Sequence, residues 1–404
     1  MKGDSNMRFR HSIVSRVLVS CCVLFFAAST VAGDLERRQA KRMHDRLAGV
    51  PPTAALEGSS SGTLLDLMEQ DIVNGDPDAA AYRAIENPSF YTVTLKNFAM
   101  PWTNRDQSAF EPLNDYVATI IGMVRDDVPF TQVLSADLLY VGDASLSVPG
   151  YSMTDNAHYE ALEQDGVDLK ANLVATTQSS LTGLPPEATA GVMTTRAAAK
   201  AFFVDGTNRA MFRFTLMNHL CTDLEQLKDN SRAPDRIRQD VSRSPGGDSR
   251  LFMNNCVACH SGMDPMAQAF AYYDFDYVDD VDSGQIVFTP GVVQDKYTIN
   301  ENNFKQGYVT LNNHWNYYWR NGPNTSLGWG VGSGSGDGAK SLGLELASSE
   351  AFAQCQVKKV FKTVCLRDPE QRDSSDIVGI LASFKVDGNL KAVFAKSAVA
   401  CKGE

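Results

Sequence analysis

Residues 251–270 read LFMNNCVACHSGMDPMAQAF. Within them Cys256, Cys259 and His260 have the spacing C-x-x-C-H, in which each thiol can form a thioether to a porphyrin vinyl group and the adjacent imidazole falls over the iron. With 8 Cys and 6 His in 404 residues, composition alone gives about 0.002 such matches. Two other chemistries use paired cysteines. A zinc site needs a second ligand pair at matching spacing, and no such pair occurs. A redox dithiol belongs beside a βαβ pattern, whereas both flanks here have helical periodicity. The stretch therefore predicts one covalently attached haem c in an α-helical domain, with Cys256 and Cys259 fixing the porphyrin and His260 as the proximal iron ligand.

Haem attachment of this kind takes place outside the cytoplasmic membrane, and the first residues supply a matching address. Arg8, Arg10 and Arg16 form a basic region, Val17 to Ala28 is an apolar run, and Thr30-Val31-Ala32 offers small residues for cleavage. Twelve apolar residues are too few to span a bilayer, so residues 1–32 read as a signal peptide with no transmembrane anchor left after cleavage. The expected location is periplasmic or secreted. The formal net charge is −11, and removal of residues 1–32, which hold four basic and one acidic side chain, brings it nearer −14. Such a surface disfavours nucleic acid and suits a basic redox partner protein.

The remaining cysteines agree with an oxidising compartment. Outside the leader and the haem motif stand Cys221, Cys355, Cys365 and Cys401, an even number that predicts two disulfides. The segment AFAQCQVKKVFKTVC has helical spacing, and ten residues of helix rise about 15 Å. A disulfide needs its Cα atoms within about 7 Å. Cys355 and Cys365 therefore pair with Cys221 and Cys401 in one order or the other.

The rest of the chain reads as mainly α. Residues 33–62 are polar and rich in Gly, Ser and Pro, a flexible lead-in. TLLDLMEQDIV, DPDAAAYRAIE, LNDYVATIIGMVRDD and PFTQVLSADLLYVG repeat apolar residues three and four apart, giving a helical N-terminal domain over 63–185. Asp76-Pro77 is a helix start. From 186 to 404 a cytochrome c-like haem domain with C-terminal helices is expected. Within it Asp264-Pro265 reads as a helix restart, QIVFT and KYTIN as a short β-hairpin, and the Arg-rich stretch 228–250 as a solvated loop. The glycine-rich run 328–341 imitates a phosphate-binding loop, but Ala339 separates Gly338 from Lys340, so no nucleotide site follows.

In order, GVMTTRAAA, GTNRAMF, NHLC, CVACHSGMDPMAQAFAYYDFD and FAQCQVKKVF resemble the exported cytochrome-like domain families first noticed in planctomycete proteins. The likeness covers residues 190–404 and departs in an insertion between Gly284 and Ala347. It implies a haem c protein in which Met263, Asp264 and Pro265 form a structural signature after the motif.

The sixth iron ligand decides what such a haem does. Electron carriers most often use a methionine well downstream of C-x-x-C-H, and here none follows Met266. Met263 shares a helix face with His260 and falls on the proximal side, while Met266 reads as core. His314, Met193 or another upstream residue such as His219, and an open site all stay in play. The leading expectation is a monohaem electron-transfer protein. The alternatives are a haem enzyme of peroxidase or oxygenase type with an open distal site, and a structural component of a surface redox complex.

Overall fold

The computed structural model describes residues 33–52, 62–330 and 332–403. The expected signal peptide and residues 53–61 of the expected lead-in lie outside them. The fold is mainly α, 57% helical, with three two-stranded antiparallel sheets.

Residues 33–48 form helix α1, which buries Ala40, Met43, His44, Leu47 and Ala48. The lead-in expectation therefore fails for this part. Its charges made the stretch look solvated, but they occupy one face while a narrow apolar stripe enters the core. Helix α2 (Leu64–Val73) starts in a capping box between Thr63 and Asp66. Helix α3 (Pro77–Ile85) begins where Asp76-Pro77 predicts, the Asp76 carboxylate accepting from the Ala79 N–H at 3.0 Å. Helix α4 (Asp115–Arg125) is buried from Asp115 to Val124 and forms the centre of the molecule.

After α4 the helical reading of 129–142 is corrected. A single turn at Phe130–Gln132 gives way to strand β1 (Leu139–Gly142), paired with β2 (Leu173–Thr176) in the register Tyr140↔Ala175. A short apolar run has no periodicity long enough to separate strand from helix, and its β-branched and aromatic end decides. Then follow α5 (Ala157–Gln164), α6 (Arg196–Phe202) and α7 (Arg209–Thr215), the last extended by a wide turn over Leu216–Leu220. A second wide turn, Phe252–Cys256, leads into α8 (Val257–Ala267). Pro265 sits inside the last turn of α8, so the helix does not restart there. That near the end, its missing N–H costs one ladder bond only.

Strand β4 (Gln285–Phe288) pairs with β3 (Tyr273–Asp276) and not with KYTIN, whose first residues lie in a helical turn at Asp295–Tyr297. The alternation of Tyr273 and Phe275, both buried, supplies the better partner strand. Strand β5 (His314–Asn316) pairs with β6 (Ser335–Asp337). Helices α9 (Gly338–Ala347), α10 (Glu350–Cys365), α11 (Ser374–Asp387) and α12 (Leu390–Ala400) complete the fold.

Helix α10 is unbroken, and its two cysteines pair outward as expected, Cys355 with Cys221 and Cys365 with Cys401. The last helix returns to the first half of the chain: Phe394 on α12 meets Phe90 and Phe98 edge-on, each at 5.2 Å. One buried cluster runs from Ala40 to Ala398, so no seam between two cores falls at residue 186.

Two buried histidines give the fold a pH dependence. His219 is fully buried, its Nε2 2.8 Å from the Tyr116 hydroxyl, and His44 lies 3.0 Å from the Val50 carbonyl. Burial holds both imidazoles below their ordinary value, His219 well below it, where the nearby Lys359 adds to the effect. A depressed histidine stabilises the fold fully above about pH 6.5, and that contribution is lost as the pH falls. Urea unfolding at pH 7.5 and 5.5 is expected to show a loss near 1.4 kcal/mol per unit from His219 alone below about pH 6.5. His219→Gln should flatten that slope.

Candidate functional site

Positions 256, 259 and 260 share a face of a helix because side chains three and four apart are neighbours. The wide turn and α8 place Cys256, Cys259 and His260 on a partly exposed strip while Val257, Ala258, Ser261 and Gly262 are buried. The buried side is pinned at several points. Val257 joins Ile237 and Phe252 in a small apolar cluster, against which Cys256 also packs. The Asp229 N–H donates to the Ala258 carbonyl at 3.1 Å, and Ser261 donates back to the Asp229 carbonyl. Gly262 faces the indole of the buried Trp319.

The two motif thiols are free, whereas Cys221, Cys355, Cys365 and Cys401 are bridged. Burial pushes the Cys259 thiol up, and Glu225 and Asp223 push it further. That is opposite to the depressed pKa that a redox dithiol uses. Among the described residues no three His, Cys, Asp or Glu converge to hold a metal ion. A structural zinc needs four such ligands, but a haem iron takes a single axial ligand from this motif.

Behind the strip lies a buried ionic network. His260 Nδ1 is 3.1 Å from Oδ1 of Asp264, one turn further along α8. An ionised carboxylate only accepts, so in the neutral ring the proton is on Nδ1 and Nε2 keeps its lone pair. Asp264 is fully buried. It accepts from Arg209 Nε at 2.7 Å and Nη2 at 3.0 Å, and from the Arg238 backbone N–H at 3.2 Å. Arg209 also forks onto Asp240, at 2.5 and 2.8 Å. The Arg238 guanidinium, 3% exposed, bonds Thr207 and stays 4.0 Å from both carboxylates. Burial alone would raise the Asp264 pKa, but the Arg209 and Arg238 guanidiniums outweigh it and hold the carboxyl well below the usual range. Two cations and two anions thus balance in the interior.

Here the solvated-loop expectation for 228–250 is corrected. Arg238 is buried, Arg236 lies over the Tyr308 ring at 4.3 Å, and Arg243 lies between the Phe252 and Phe304 rings. Their partners are far away in sequence, which local composition does not register. Arg209 and Asp240 also escaped the sequence reading, although Arg209 stands inside the quoted motif GTNRAMF.

The candidate distal ligands are placed elsewhere. His314 on β5 is half-exposed with Nδ1 2.9 Å from Asp337 on β6. Met193 is buried in the turn whose Gly191 and Val192 N–H groups bond the carbonyls of Ala136 and Val133. His219 is enclosed by Trp102, Tyr116 and Phe352. Met263 and Met266 are both core residues. The structure thus brings together Cys256, Cys259 and His260, with Asp264 behind them, and engages His314 and Met193 in other contacts. Free thiols on one accessible strip and an imidazole whose outer nitrogen is available fit a covalently attached haem. Comparison of the chain with family models, with curated proteins and with solved structures finds no match.

Proposed function

We propose that this chain is an exported c-type cytochrome with one haem, bound through thioethers to Cys256 and Cys259 and ligated by His260, and that it transfers electrons outside the cytoplasmic membrane. The observation that carries this reading is the strip itself: three motif side chains on one accessible face, with the imidazole oriented from behind by a buried carboxylate. A bound haem supplies one-electron chemistry at its iron. The chain's own residues do the rest. Asp264 keeps the proton on His260 Nδ1, and the packing of Val257 and Gly262 fixes α8 beneath the strip. The order of motifs from 190 onward, similar to the planctomycete cytochrome-like families, supports the same reading.

Export is supported by the two disulfides, which persist in oxidising compartments. No helix among the described residues is long and apolar enough to cross a membrane. The net charge of −11 favours a basic redox partner, which it would steer electrostatically.

One observation favours a second reading, a haem enzyme with an open distal site. The Asp264 carboxylate makes His260 a stronger donor than a carbonyl partner would, and this suits chemistry at higher oxidation states.

The test is expression of the full chain in a host that assembles haem c, followed by haem staining on a denaturing gel and optical spectra with and without CO. One covalent haem per chain is expected in wild type, with none in Cys256→Ser/Cys259→Ser. A low-spin spectrum unaffected by CO supports electron transfer. A high-spin ferric form that binds CO rapidly on reduction moves the assignment to the enzyme. A wild-type chain without covalent haem overturns both.

A further inference from the structure

We infer that Arg209 is a positioning residue that sets the strength of the Asp264–His260 hydrogen bond and, through it, the reduction potential of the iron held by His260. The inference rests on the haem reading above and adds to it a control element from outside the C-x-x-C-H motif.

The argument starts from the acceptor capacity of Asp264. Its two oxygens offer about four lone-pair sites, and the structure fills them from Arg209 twice, the Arg238 backbone and His260. Every donor on a carboxylate draws electron density away from the others. A cation bonded twice draws most. The pull that Asp264 exerts on the His260 Nδ1 proton is therefore limited by how firmly Arg209 holds it, and a stronger pull makes the imidazole a better donor to a metal. Arg209 is itself divided, since the same guanidinium forks onto Asp240. The contacts form a line, Asp240 to Arg209 to Asp264 to His260, drawn from the 228–248 loop, α7 and α8. In a buried site these charges interact strongly because little water screens them. The Arg238 guanidinium stands 4.0 Å off, outside hydrogen-bond distance of Asp264, with its Nη2 bonded to Thr207.

The signs follow. Asp264→Asn removes the negative charge behind His260, makes it a weaker donor and disfavours ferric iron, so the potential rises. Arg209→Gln leaves the Asp264 charge undivided, strengthens the pull on Nδ1 and lowers the potential. Asp240→Asn gives Asp264 a larger share of Arg209, and the potential rises.

Spectroelectrochemical titration of the haem-loaded protein reads these shifts. A tenfold change in the oxidised-to-reduced ratio, about 59 mV for one electron, is expected for Asp264→Asn and for Arg209→Gln, in opposite directions. The deciding measurement is the double variant. If Arg209 acts through Asp264, Arg209→Gln has no further effect in the Asp264→Asn background. A shift that persists there means a direct field on the iron and overturns the inference. Should Arg209→Gln fail to accumulate, Asp240→Asn tests the same line from its far end, and an unchanged or lowered potential counts against it. Haem present but oxidised-to-reduced ratios within threefold of wild type in all three single variants overturns this inference alone. A wild-type chain without covalent haem overturns the reading beneath it.

Discussion

Asp264→Ala is expected to lower the unfolding free energy by about 3–5 kcal/mol, in protein with or without haem. The carboxylate is completely buried and takes two bonds from Arg209 and one from the Arg238 backbone. Its removal leaves Arg209 and Arg238 to share the single carboxylate of Asp240, both in an interior that solvates cations poorly. Burial already acts against the charge on Arg238, whose guanidinium is held below its usual value. Urea unfolding at pH 7.5, where both carboxylates are ionised, provides the measurement. Asp264→Asn, which keeps the shape and can still accept from Arg209, should lose less. Asp264→Ala combined with Arg209→Met should recover part of the loss, because a carboxylate and a cation then leave together. A loss below about 1 kcal/mol, the range of an exposed ion pair, would contradict the network described above.

Gly262→Val is the second large effect. A Cβ at Gly262 would stand 2.1 Å from Trp319 Nε1 and 2.5 Å from its Cε2, closer than side chains tolerate. Neither side can easily give way. Gly262 lies within α8, and Trp319 is fully buried against Phe212 and Tyr317. Overpacking a core of this density costs about 3 kcal/mol, read as a shift in urea midpoint. The indole N–H has no hydrogen-bond partner, so replacing the ring sacrifices no bond. Trp319→Phe should therefore relieve part of the Gly262→Val loss although it opens a cavity by itself. Additive losses in the double variant would show that the two residues are not in contact.

That Cys256, Cys259 and His260 share one side of a helical stretch could be read because they fall within five residues of one another. The disulfide logic was equally local, since one continuous helix between Cys355 and Cys365 forbids their pairing. Longer helices such as α4 and α10 declare themselves by repeated apolar residues three and four apart. What escaped depends on distance along the chain. Arg209 and Asp264 are 55 residues apart, and Arg209 and Asp240 are 31, so a stretch of arginines looked like a solvated loop. Strand β1 escaped because an apolar run this short carries no period. The continuity of the main core across residue 186 escaped because it depends on contacts between residues far apart in the chain.

The packing of α12 has a consequence for the order of events during biogenesis. Phe90 and Phe98, early in the chain, each meet a neighbouring aromatic locally, but the ring that joins the two, Phe394, arrives only with the last helix, as does the Cys401 partner of Cys365. Contacts of such long sequence separation form late and slowly. A chain emerging from its N-terminus thus passes the C-x-x-C-H segment well before Phe394 and Cys401, the residues that tie α12 to the rest of the fold. The covalent attachment proposed for Cys256 and Cys259 would have its opening then, before α12 closes over the first half.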